Sequence, residues 1–287
     1  MNTKIETFYD APTSTLTYLV YDEATKDAVL IDPVRDYDPL GSKVSWDGAR
    51  KIADWIDDKG LKLRWVLETH AHADHLSGAP FFKDRYDAKV AIGSDITVVQ
   101  ETFKQVFNLP EGFRTDGSQF DKLLADGEVL EAGSIAIKAI HTPGHTPACM
   151  SYVVDDAVFT GDALFMPDQG VGRCDFPKGD AEAMWESIHE KLYHLPDATR
   201  VFVGHDYQPN GREVQYETSI GASKRRNVQL DVETAKEAFV EKRRARDATL
   251  AAPKLLYPSV QVNVDAGRLP GTESNGARYL KIPVREA

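Results

Sequence analysis

The spacing of hydrophobic positions changes several times along the chain, and the changes mark its elements. Residues 16–21 and 27–31 are short runs rich in β-branched and aromatic side chains. Residues 23–26 between them form a polar turn, which predicts a β-hairpin. From Trp46 to Asp58 the period becomes helical, with Ala49, Ile52, Ala53 and Ile56 on one face and Gly60 placed to cap the end. Residues 63–67 are apolar apart from Arg64 and read as a strand, and the polar cluster 68–75 begins where it would end. The same succession continues with a helix over 96–107 and strands over 129–130, 135–141, 151–154 and 157–160. A helix over 181–195 then precedes a strand over 200–203. A charged helix over 232–250 and a Pro- and Gly-punctuated tail from Pro253 close the chain. Strands alternating with helices predict an α/β fold, whose sites favour the carboxyl ends of strands.

With 287 residues and 42% hydrophobic content, the chain is expected to form one domain over 1–287, with residues 212–287 as a C-terminal extension packed on it. Residues 1–6 carry no apolar leader-like run, and no stretch approaches the roughly 18 apolar residues of a membrane span, so a cytoplasmic protein without a membrane partner is expected. A formal net charge of −11 disfavours nucleic acid, whose phosphates require an excess of Lys and Arg. A small anionic substrate is compatible with that charge, because a few local cations can hold it. Cys149 and Cys174 are expected as free thiols. The basic groups 224–226 and 242–244 read as solvated faces.

The run His70-Ala71-His72-Ala73-Asp74-His75 puts three imidazoles and a carboxylate into six residues at a strand end. Packing gives no reason for that density. Imidazole nitrogens and carboxylates suit zinc, iron and manganese, but one loop cannot enclose an ion. Further donors stand at similar strand ends: His145 in Pro143-Gly144-His145-Thr146, Asp162 in Gly161-Asp162 and His205 in Gly204-His205. The adjoining glycines let the backbone turn sharply enough for distant donors to converge. His141, His189 and His194 read as ordinary packing or surface residues.

This order, HxHxDH followed by PGHT, GD and GH, resembles the metallo-β-lactamase superfamily. The resemblance implies an αβ/βα sandwich of two mixed β-sheets flanked by helices, with a mono- or dinuclear site. A dinuclear zinc hydrolase of the glyoxalase II type would place His70, His72 and His145 on one metal, Asp74, His75 and His205 on the other, and Asp162 between them. The segment 164–176, ending Gly170-Val171-Gly172-Arg173-Cys174-Asp175-Phe176, is similar to the G-x-x-R-x-D-F segment of persulfide dioxygenases. Similarity extends through Asn227-Val228, residues 246–250 and 258–263 and the closing 279–283, favouring the bacterial branch with a long C-terminal extension. Val171 and Cys174 depart from residues often Cys and Thr in the mitochondrial-type enzymes, so no role is carried onto them.

The resemblance to persulfide dioxygenases implies one Fe(II) per chain held by His70, His145 and Asp162. His72, Asp74, His75 and His205 would form an outer shell or a vacant second metal site. Arg173, Tyr207 and Thr146 would face the substrate. The implied reaction converts glutathione persulfide, O2 and water to glutathione and sulfite. A homo-oligomer and a functional link to a sulfurtransferase are compatible with this reading.

Overall fold

The computed structural model describes residues 3–284. Two six-stranded sheets carry the fold. The first runs in the order Thr3–Asp10, Thr15–Asp22, Asp27–Ile31, Lys62–Leu67, Lys89–Gly93 and Lys122–Leu124. Its first three strands pair antiparallel with one another, and the pairings from Asp27–Ile31 outward are parallel. The second sheet runs Val129–Ala132, Ile135–His141, Met150–Val154, Ala157–Phe159, Arg200–Phe202 and Glu217–Ser219. It is antiparallel except where Ala157–Phe159 meets Arg200–Phe202.

Side chains alternate across a strand, so each strand of the first sheet serves two layers. Tyr18, Val20, Val29, Ile31 and Leu67 turn towards Ile137, Tyr152, Phe159 and Phe202 of the second sheet. Leu19, Leu30, Val66 and Val90 face the opposite way, onto the helices Asp47–Asp58, Ala79–Tyr86 and Ile96–Val106. Burial on both faces explains the nearly continuous apolar runs of these strands. Helical residues Met184, Ile188 and Phe239 cover the second sheet. The resulting αβ/βα layering is the sandwich of two mixed sheets flanked by helices that the sequence leads one to expect.

The expected hairpin and the helix at 46–58 are present, the latter burying Ala49, Ile52, Ala53 and Ile56 with Gly60 in the left-handed region at φ 63°. Other elements differ. The helix expected over 181–195 is α-helical only over Ala181–Glu186, then widens to a π turn over Ser187–Lys191 and tightens to a 3-10 turn over Leu192–His194. Within it the His189 ring stacks on Trp185 with centroids 4.2 Å apart, in keeping with its ordinary packing reading. The helix expected from 232 begins at Lys236, because Asp231 accepts from the Thr234 hydroxyl and closes a turn before it. The tail from Pro253 contains a helix, Leu256–Asn263, which its polar and proline content concealed. The basic groups are not uniformly solvated: Arg243 is buried and paired with Asp247. Among the described residues, Cys149 and Cys174 are free and buried, and no helix is long and apolar enough to cross a membrane.

Candidate metal centre

Each expected donor lies just beyond the end of a strand. His70 follows Lys62–Leu67, His145 follows Ile135–His141, Asp162 follows Ala157–Phe159 and His205 follows Arg200–Phe202. Gly161 makes one of these turns feasible. Its φ is 48°, and a Cβ there would stand 2.5 Å from Thr69 Oγ1, so only glycine admits both the conformation and the neighbouring chain.

The turns bring His70, His145 and Asp162 together, with one donor atom from each lying within 4.8 Å of the others. His72, Asp74 and His75 form a second group of the same tightness beside them. His145 Nδ1 lies 2.8 Å from the Arg173 carbonyl, so that nitrogen donates and Nε2 turns its lone pair to the centre, 3.7 Å from Asp162 Oδ2. His75 Nδ1 lies 3.1 Å from Asp74 Oδ2. His205 Nε2 stands between two carboxylates at ion-pair distance, 3.4 Å from Asp74 Oδ2 and 3.3 Å from Asp162 Oδ1, without a hydrogen bond to the latter.

Four buried atoms of this cluster have no hydrogen-bond partner: His70 Nε2, His72 Nδ1, His75 Nε2 and Asp162 Oδ1. Leaving so many polar atoms unsatisfied in one place is costly, and a cation would engage them together. The residues present therefore fit a metal.

Electrostatics separates the imidazoles. Burial, aided by His72 and His145, holds the His70 pKa well below its ordinary value, which favours the neutral form that ligates. Burial acts in the same direction on His72, but Asp32 and Glu68 outweigh it and push the His72 pKa well up. Its Nε2 sits 3.1 Å from Asp32 Oδ1 and 3.3 Å from Glu68 Oε2. For His205, burial is again outweighed, by Asp162 and Asp74, and its pKa rises.

Residues 10–205 match the metallo-beta-lactamase superfamily. The chain belongs to this superfamily. It is 49% identical to a probable metallo-hydrolase of Burkholderia pseudomallei, with 98% of each chain covered. It is 46% identical to glyoxylase B2 of Dictyostelium discoideum over 98% of this chain and 97% of that one. The human mitochondrial persulfide dioxygenase ETHE1 is 32% identical over 69% of this chain and 66% of its own. Among solved structures, ETHE1 from Myxococcus xanthus superposes with a TM-score of 0.74 at 30% identity, covering 92% of this chain and all of that one.

In this superfamily member, a cavity of about 470 Å³ opens over the metal-binding cluster, with His145, Asp162, Arg173, Tyr207, Tyr37 and Lys254 in its walls. Arg173 reaches it with its fork already engaged: Nε and Nη2 each donate to Asp175 at 2.6 Å, and Nη1 donates to the Ala251 carbonyl at 2.8 Å. Tyr207 stacks on His205, with ring centroids 5.5 Å apart. Thr146 is fully buried. Its hydroxyl lies 3.1 Å from Cys149 Sγ and accepts from the Ala148 N–H at 3.3 Å, so it secures the turn that carries His145.

Two supports of the centre escape a reading by sequence motif. Asp32, at the end of Asp27–Ile31, accepts from the Thr69 N–H at 2.7 Å and hydroxyl at 2.8 Å while holding His72. Its place beyond a strand of the same sheet was the available signal. Asn263, from the tail helix, donates to the carbonyls of His72 and His75 at 2.9 and 2.8 Å and accepts from the Ser77 N–H at 2.8 Å. Nothing local in the sequence points to it.

Proposed function

We propose that this enzyme is a persulfide dioxygenase, converting glutathione persulfide, O2 and water to glutathione and sulfite with one Fe(II) per chain. The observation that carries this reading is the trio His70, His145 and Asp162, two imidazoles and a carboxylate with donor atoms within 4.8 Å, beneath an open cavity. Two histidines and one carboxylate on one face are the ligand set of non-haem iron oxygenases, with positions left for other ligands. An iron so held would supply the redox chemistry and bring persulfide sulfur and O2 side by side.

The chain's own residues supply the rest. The Arg173 carbonyl fixes the tautomer of His145, and Asp32 fixes the ring of His72. His205 Nε2, between Asp74 and Asp162, is placed to hold a proton beside the centre. Lys254 puts positive charge in the cavity wall, suited to a carboxylate of glutathione, and Arg173 stands beside it paired with Asp175, a pair that a substrate carboxylate would have to share. Identity of 32% to the human persulfide dioxygenase supports the same reading.

A specific observation favours a second reading, a dinuclear zinc hydrolase of the glyoxalase II type. His72 Nδ1 and His75 Nε2 are also unpartnered, and with Asp74 they form the second tight group of donors. The relative at 49% identity is named a probable metallo-hydrolase and the one at 46% a glyoxylase. Metal analysis of anaerobically purified protein, with O2 uptake on added glutathione persulfide, separates the two. One iron per chain with sulfite release supports the dioxygenase. Two zincs per chain with hydrolysis of a glutathione thioester and no O2 uptake replaces it with the hydrolase.

A further inference from the structure

The cavity over the metal-binding cluster has a neighbour. A second cavity of about 390 Å³ shares Pro12, Thr13, Tyr37 and Leu255 with it as walls, and His75 lines it as well. Arg35 and Lys43 bring positive charge into this second space.

Arg35 is only 9% exposed, and its guanidinium carbon lies 4.0 Å from the centre of the Trp46 ring. Among the described residues it makes no side-chain hydrogen bond and no ion pair, and its Nε is a buried donor without a partner. The indole covers one face of the guanidinium but offers no acceptor to its in-plane N–H donors, of which Nε is buried. Burial and the neighbouring Arg278 both act against its charge, and still no carboxylate is supplied to it. Arg243 is similarly buried and its Nε is also unpartnered, but its Nη atoms are met by Asp247 and Gln229, for which Arg35 has no counterpart among the described residues. An unpaired buried charge is costly to a fold, so an anion arriving from outside is the natural partner for Arg35.

Carboxylates stand in the same cavity but are committed elsewhere on one side. Asp10 accepts from the Thr13 N–H and hydroxyl, Asp36 from the Gly48 N–H and Asp38 from the Leu40 N–H. Each keeps lone pairs free for a cation. A free guanidinium beside carboxylates with spare acceptors matches a zwitterion, an amino-acid group with its carboxylate on Arg35 and its ammonium among the aspartates.

We propose that this second cavity seats the α-amino carboxylate end of the thiol substrate, with Arg35 as the residue that selects for it. The assignment rests on the reading of the substrate as a glutathione derivative and adds the direction in which the tripeptide lies. Its γ-glutamyl end points to Arg35 while its sulfur lies at His70, His145 and Asp162. Lys43 stands by the same end as an auxiliary cation.

Calorimetric binding of S-methylglutathione and of S-methylcysteinylglycine, which lacks the γ-glutamyl group, tests this on the metal-loaded wild type, Arg35→Met and Arg35→Lys. The expected result is a wild-type preference for the tripeptide. Arg35→Met should weaken tripeptide binding by about 10- to 100-fold, leave the dipeptide unchanged and so erase the preference. Arg35→Lys, which keeps the charge and loses the fork, should fall between. Without ligand, Arg35→Met should melt at or above the wild-type temperature, because an unpaired buried charge has been removed.

Unchanged tripeptide binding in Arg35→Met overturns the proposal. A lowered melting temperature with both ligands weakened equally makes Arg35 a structural residue and overturns it too. O2 uptake on glutathione persulfide, followed in parallel, keeps the two readings apart. Arg35-dependent selectivity in a wild type that consumes no O2 supports the seat and removes the dioxygenase. O2 uptake without Arg35-dependent selectivity does the reverse.

Discussion

His70 Nε2 and Asp162 Oδ1 are buried atoms with no hydrogen-bond partner, and His145 is fixed through its other nitrogen with Nε2 turned towards them. Ligand substitutions should therefore act on metal content before anything else. His70→Ala, His145→Ala or Asp162→Ala should lose the bound metal by elemental analysis and form no sulfite. A variant that keeps both activity and metal removes that residue from the ligand set. Arg173 is a different case, since its carbonyl holds His145 and its side chain faces the cavity. Arg173→Ala keeps the carbonyl, so KM for the persulfide should rise at least about 10-fold while metal content stays intact. An unchanged KM would leave the Asp175 pair as its whole role. Burial pushes the Cys149 thiol up to about 12 from an ordinary 9.0. The folded state thus favours the protonated thiol, a contribution fully present below pH 9 and lost as pH rises towards 12. At pH 8, iodoacetamide should label Cys149 only after denaturation, as read by mass spectrometry, and rapid native labelling would contradict this packing.

The helix Leu256–Asn263 reaches across the fold to the loop that carries four of the donors. Asn263 pins the backbone of that loop at the His72 and His75 carbonyls and the Ser77 N–H. Asn263→Ala strips partners from three buried backbone groups, which should lower stability by ~3–5 kcal/mol and weaken metal retention. Denaturant unfolding together with metal titration checks both effects, and wild-type metal affinity would show that the loop holds its shape alone. The helix over 181–195 teaches a related point. Its apolar period is consistent with one continuous helix, yet the chain passes from α to π to 3-10 winding. The π turn over Ser187–Lys191 places Ser187 to donate to the Pro143 carbonyl at 2.6 Å, just before the His145 turn. Periodicity reports which face is buried and not the winding that buries it.

Across the whole molecule, the metal cluster sits where loops from both sheets and the distal helix meet, so ion binding and folding are coupled. Removing metal with a chelator should lower the melting temperature, and free metal at about 100 times its Kd should restore roughly 5–10 °C. Equal melting of loaded and stripped protein would mean that the cluster is satisfied without an ion. The sequence by itself determined the strand-helix alternation, because two-faced burial of strands and one-faced burial of helices leave periods that can be read locally. It also marked His70, His72, Asp74, His75, His145, Asp162 and His205 as candidate donors, because no packing demand produces that density of imidazole and carboxylate. Tertiary structure alone decided that Asp32 backs His72, that Asn263 holds its loop, that Arg243 has a partner and that Arg35 has none among the described residues. The Asp32 and Asn263 contacts join residues far apart in sequence, and although Arg243 meets Asp247 one turn along its own helix, an arginine in a sequence carries no mark of whether its charge will be met by the chain or by a ligand.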